Sequence, residues 1–73
     1  MSSEAPDHRI VCTLDRVLEE RGMTLTELSD RTGLTLANLS ILKTGKARAV
    51  RFTSLTAICD ALACTPGDLF ELG

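Results

Sequence analysis

No run of apolar residues in this chain approaches the roughly 20 that a membrane span requires, so a membrane protein is excluded at once. The opening octet MSSEAPDH has neither a basic n-region nor an apolar h-region, which excludes a signal peptide. Residues 1–9 read as a flexible tail and residues 10–73 as the folded part. The three cysteines contain no C-x-x-C pair, and Cys12, Cys59 and Cys64 stand among apolar residues, where a thiol packs as a small hydrophobe. Neither a disulfide nor a metal site is expected, and a reducing cytoplasm is the implied setting. His8 is the single histidine; it reads as solvated and has no second histidine with which to build a metal centre. Internal repeats and low-complexity tracts are missing too. At 73 residues the chain buries only about 60% of its unfolded surface and cannot be divided between two cores.

One absence is local and more telling. Between Arg31 and Cys59 there is no acidic residue, while Arg31, Lys43, Lys46, Arg48 and Arg51 give that window a charge of +5. The remaining positions hold all ten acids against three basic residues, or -7, within an overall charge of -2. Phosphate affinity comes from clustered Lys and Arg, so the total counts against a nucleic-acid partner and the distribution counts for one. A basic face on an acidic body orients a protein on a polyanion. A solvated basic loop is the plainer reading of the same charges.

What is present is helical periodicity. Ile10 to Cys12 is a short β-prone stretch, after which Thr13 can cap a helix whose Leu14, Val17 and Leu18 recur at i, i+3, i+4, ended by Gly22. Thr24 followed by Glu27 forms a capping box for a helix over Leu25 to Thr32. Within it Leu28 points to the core, and small Ser29 stands where a bulky side chain would hold the next helix away. Gly33 supplies a left-handed turn without the steric penalty of a Cβ. Leu34 re-enters the core, Thr35 is an N-cap, and Leu36 to Thr44 forms a third helix that buries Leu39 and Leu42 and closes at Gly45. Lys46 to Arg51 is a basic loop. Phe52 and Thr53 introduce a fourth helix with a single-sided stripe at Leu55, Ile58, Cys59 and Leu62. Thr65, Pro66 and Asp68 then cap a last short helix, and Leu69, Phe70 and Leu72 finish the chain.

Catalytic chemistry finds no support in these residues. Glu19 and Glu20 lie on a charged helix face and read as solvation, not as an acid-base pair. Thr44-Gly45-Lys46 lacks the first glycine and the four intervening residues of a phosphate-binding loop, so nucleotide binding is not expected. No enzyme activity and no cofactor are anticipated.

Leu25 to Thr44, LTELSDRTGLTLANLSILKT, resembles the helix-turn-helix of the Cro and C1 phage-repressor family, the Xre-like bacterial regulators. The resemblance extends through T-L-T-E-L-S-D-R-T-G, K-T-G-K-A-R, L-T-A-I-C-D-A-L and T-P-G-D-L-F, and so covers about Leu14 to Phe70. It implies an all-α, compact five-helix DNA-binding domain, with short strands at the termini. The third helix would lie in the major groove of double-stranded DNA. Family positions that read bases fall on Leu36, Ala37 and Ile41, with Thr35, Asn38 and Ser40 beside them. Many relatives carry Gln, Arg or Ser at the first three, whereas apolar side chains touch only a thymine methyl or pack on sugar. Base reading would then rest on Asn38, whose amide can pair with adenine, and on Ser40. Asn38 is equally an ordinary residue of a first helical turn.

Phosphate contacts fall to Lys43, Lys46, Arg48 and Arg51, together with the amides at the starts of the second and third helices, Thr24 marking the first of these. The reading is a transcriptional regulator, a repressor, acting as a homodimer whose recognition helices stand one helical turn apart, roughly 34 Å. Ile10 to Cys12 and Leu69 to Leu72 are the candidate pairing surface. No small-molecule ligand is expected, leaving abundance, a partner protein or proteolysis to control binding. The alternative is a protein-interaction module on the same fold, antitoxin-like or docking another regulator, through exposed Leu25, Leu36 and Ile41.

Overall fold

The computed structural model describes residues 8–73. Five helices form where the apolar periodicity places them: α1 (Leu14–Arg21), α2 (Leu25–Thr32), α3 (Leu36–Lys43), α4 (Phe52–Leu62) and α5 (Pro66–Leu69). Two short strands bracket them, β1 (Ile10–Cys12) and β2 (Phe70–Leu72). The all-α, five-helix architecture with terminal strands is thus the one expected, and α3 ends one residue before the predicted Thr44. The strands pair with each other, antiparallel, in the register Ile10 with Leu72, Val11 with Glu71 and Cys12 with Phe70. This closes the chain on itself, and the amide of Gly73 adds a bond to the carbonyl of Arg9 at 2.7 Å. The tail expected over residues 1–9 lies outside the described residues as far as residue 7.

Each helix sends at least one side chain to a common core. Leu14, Leu28, Leu39, Ile58, Leu62 and Leu69 are all 1% exposed or less, and no polar or charged residue is buried among the described residues. Cys12, Cys59 and Cys64 are free, half-buried thiols packed against this cluster. Burial pushes the Cys12 thiol up. Burial, then the neighbouring Cys59, push Cys64 up to about 11. All three pack as small apolar groups.

The helix ends are made by backbone geometry as much as by side chains. Gly22, Gly33 and Gly45 take left-handed conformations at φ 65, 77 and 80°. Ala63 does the same at the end of α4, at φ 52°, although it carries a Cβ. There Cys64 donates its amide to the Cys59 carbonyl at 3.0 Å, closing a Schellman turn. Arg21, at the end of α1, completes this cap: its Nε donates to the Leu62 carbonyl at 2.7 Å and its Nη2 to the Ala63 carbonyl at 3.3 Å.

Two expected caps differ. Thr13 does not cap α1 with its hydroxyl, which instead donates to the Asp68 carbonyl at 2.7 Å while its amide donates to the Leu69 carbonyl at 2.7 Å. A contact 55 residues away competes successfully because β1 and β2 bring both ends of the fold together. The Thr24 box is half formed. The Thr24 hydroxyl accepts from the Glu27 amide at 3.1 Å, but the Glu27 carboxylate pairs with Arg31 at 2.8 Å. At α5 the Asp68 carboxylate does reach back, accepting from the Thr65 amide at 2.9 Å and its hydroxyl at 3.2 Å. These bonds hold the Asp68 carboxyl below its usual range.

Substituting Gly33→Ala should lower stability by about 1 kcal/mol through the left-handed backbone alone, since nothing lies within 4 Å of a Cβ added there. Ala63→Gly should shift the urea midpoint the opposite way. Because the folded state depresses the Asp68 carboxyl, its contribution is complete above the unfolded value near 4 and is lost as pH falls through the lower folded value. Asp68→Asn should therefore flatten the acid limb of the stability curve, as measured by urea unfolding at stepped pH.

Candidate nucleic-acid interface

The pairing of α2 with α3 begins at Ser29. Its hydroxyl donates to the Leu34 carbonyl at 2.6 Å, across the turn at Gly33, whose own amide donates to the Ser29 carbonyl at 2.9 Å. The sequence signalled only that a small residue was needed; the hydrogen bond shows why serine fits. Thr32 adds a second brace, its hydroxyl donating to the Leu28 carbonyl at 2.8 Å and accepting from the Leu34 amide at 3.2 Å. Beyond the turn, Thr35 caps α3 by accepting from the Asn38 amide at 3.1 Å. Leu39 and Leu42 are buried beneath, so α3 cannot rotate without exposing them. The remaining face, formed by Thr35, Leu36, Ala37, Asn38, Ser40 and Ile41, is exposed.

The chemistry of that face is mixed. Leu36 and Ile41 are each 46% exposed, an unusual position for large apolar side chains. The side-chain amide of Asn38 and the hydroxyl of Ser40 make no hydrogen bond among the described residues. Leu25, expected at the surface, is half-buried and packed against the core. A protein-docking patch joining Leu25 to Leu36 and Ile41 therefore loses its first member.

Past α3, the left-handed Gly45 turns the chain so that the Lys46 amide donates to the Ile41 carbonyl at 3.1 Å. The Thr44 hydroxyl donates to the Ser40 carbonyl at 2.9 Å. These bonds start the basic loop at a fixed angle to the helix. A long-range contact holds its middle. The Ile10 amide donates to Nδ1 of His8 at 3.0 Å, so the ring proton is on Nε2, which lies 3.1 Å from the Ala47 carbonyl and donates to it. His8, read from sequence as solvated, is a half-buried strap between the first strand and the loop. No pattern in the sequence links residues 39 positions apart.

Loop and helix together bound a shallow depression of about 500 Å³, lined by Asn38, Ile41, Lys46, Arg48, Arg51 and Ser54 with no carboxylate among its lining residues. Five of the expected site residues thus converge. Ser54, in the first turn of α4, is a lining residue that sequence reading missed, and its place three residues after Arg51 was the one available signal. Phe52 was also passed over as a surface group; it is 85% exposed. Lys43 and Thr24 are elsewhere, lining a second depression of about 320 Å³ with Asp15 and Glu19. Lys43 faces Asp15 at 3.9 Å, an exposed pair of the kind that contributes at most about 1 kcal/mol.

A short helix, a braced glycine turn and a second helix with a free outer face define the helix-turn-helix class. A family model described as the Cro/C1-type HTH DNA-binding domain matches residues 13–72. The chain belongs to that family. It is 56% identical over 62 residues to the uncharacterized HTH-type transcriptional regulator YozG of Bacillus subtilis (strain 168), covering 85% of this chain and 74% of the relative. The crystal structure of the transcriptional regulator VanUg, Form II, superposes with a TM-score of 0.73 at 30% identity, covering 97% of this chain and 93% of that one.

Thr35→Ala should remove the cap of α3 at a cost of about 1 kcal/mol. Amide hydrogen exchange should accelerate most at Ala37, Asn38 and Leu39, with less change in α1 and α4.

Proposed function

We propose that the protein is a sequence-specific DNA-binding transcriptional regulator that represses by occupying its site, with α3 in the major groove. The observation that carries this reading is the convergence of the exposed α3 face and the basic loop on one depression free of carboxylates. An eight-residue helix is about 12 Å long, and the major groove is about 12 Å wide. Asn38 would pair with adenine, and Leu36, Ala37 and Ile41 would pack on thymine methyl groups, with Thr35 and Ser40 reaching adjacent edges. Lys46, Arg48 and Arg51 would hold the phosphates that flank the groove. Thr24 and Lys43 would serve the phosphate on the other side, weakened there by Asp15. Asp15 and Glu19 of α1 border that second phosphate position, so the pose leans on the loop side, and this charge asymmetry orients the approach.

Repression asks least of such a domain, because occupancy alone blocks access to a promoter. Binding is the whole activity in this reading, with no catalytic step, and it takes place in the cytoplasm, where bacterial DNA lies. A single short helix reads too few base pairs for useful specificity, so the working form is a homodimer with half-sites one helical turn apart. Since β1 and β2 pair within one chain, the dimer would meet across the outer side of that sheet, where Val11 is 42% exposed.

Selection of bound fragments from random duplex DNA should yield a two-fold symmetric sequence. On that duplex, fluorescence anisotropy should show log affinity falling linearly with log salt, and Lys46→Ala or Arg48→Ala should each reduce the slope by about 0.9. Asn38→Ala should narrow the gap between selected and random DNA more than it lowers general affinity. Salt-insensitive binding, or none, would remove the DNA reading.

A further inference from the structure

The inner face of the terminal sheet is not fully covered. Residues opposite or two apart in the antiparallel pair share a face, which places Ile10, Cys12 and Phe70 together. With Leu42 at the end of α3, Val50 in the basic loop and Leu55 in α4, they wall an open cavity of about 390 Å³. Cavities that take small molecules run about 300–1,000 Å³ and are mostly apolar with a few polar groups that fix orientation. Here the polar groups are few and their availability differs. His8 lines the cavity, but both of its ring nitrogens are engaged, with Ile10 and Ala47. The Cys12 thiol is kept neutral by burial. Arg48 is the one permanently charged side chain in the lining, and no carboxylate lies within 4.0 Å of it among the described residues.

An apolar cavity with one guanidinium at its rim, without a carboxylate partner among the described residues, selects a molecule of matching chemistry. An apolar body gains by leaving water, and an anionic head gains a charge-assisted bond to the arginine fork. We propose that this cavity is a regulatory site for an amphipathic monocarboxylate, its chain lying against Ile10, Leu42, Leu55 and Phe70 and its carboxylate on Arg48. The consequence for DNA follows from the same residue. Arg48 also lines the depression on the other side of the loop, so occupancy withdraws one of the loop's cations from the phosphates and neutralises it. This coupling rests on the DNA-binding reading; the ligand site itself does not.

Octanoate below its micellar range is a suitable probe, added to the full-length protein without DNA and followed by nitrogen-15 NMR, with octan-1-ol and octylammonium as comparison arms. Octanoate should shift the amides of Cys12, Ala47, Val50 and Phe70 and bind roughly tenfold more tightly than the alcohol, the difference made by one charge-assisted bond. Arg48→Gln should bring octanoate down to the level of the alcohol. Shifts elsewhere, no shifts, or equal binding of carboxylate, alcohol and ammonium would overturn the site. In a second measurement, saturating octanoate should weaken binding to the selected duplex by roughly tenfold, and an unchanged affinity would overturn the coupling. If the protein bound no duplex with or without octanoate, the DNA reading would fall while the NMR result still decided the site.

Discussion

The hydrogen bond from the Ser29 hydroxyl to the Leu34 carbonyl, 2.6 Å across the turn, sets the angle at which α3 leaves α2, and the rest of the molecule depends on that angle. Gly33 allows the reversal because a left-handed residue without a Cβ is unstrained there. The hydroxyl then removes the slack that a glycine turn would otherwise leave. With the angle set, Leu28 and Leu39 both reach the core at 1% exposure or less, and the opposite face of α3 has nowhere to go but outward.

That constraint gives an acidic chain one basic exposed surface beside α3. The net charge is -2, yet the acids of α1 sit beside Thr24 and Lys43, whereas Lys46, Arg48 and Arg51 border a depression without a carboxylate. Segregation matters more than the total because charges farther apart than a Debye length, about 8 Å at physiological ionic strength, are largely screened from each other. The loop holding these cations is not left to wander. Gly45 fixes its exit from α3 and the His8 strap fixes Ala47, so the cations are presented by a restrained segment. The same strap places the loop over the terminal sheet, which is why one arginine borders both the acid-free depression beside α3 and the apolar cavity behind it.

Much of this was legible from the residues. The helices, their ends at Gly22 and Gly45, the left-handed turn at Gly33, the hydroxyl caps at Thr24 and Thr35, the box at Thr65, and the acid-free window from Arg31 to Cys59 all depend on neighbours within a few positions. Phe52 was missed because nothing in its immediate neighbourhood distinguishes an exposed residue from a helix-start residue, and Ser54 because its spacing from Arg51 was the one signal it carried. Leu25 was misjudged for a related reason: at the first position of α2 its burial depends on the common core it packs against, not on its own helix.

By itself, then, the sequence determined the helix boundaries, the turn that joins α2 to α3 and the family to which the chain belongs, since these rest on local backbone preferences and on spacing. Only the tertiary structure decided which polar groups meet. Thr13 turns from capping α1 to bonding Asp68, Arg21 caps a helix that starts 31 positions later, Lys43 faces Asp15, and His8 straps Ala47. Each of these pairs is made by chain closure through β1 and β2 or by packing around the common core. Their partners lie 28 to 55 residues apart, and no local propensity extends over that distance.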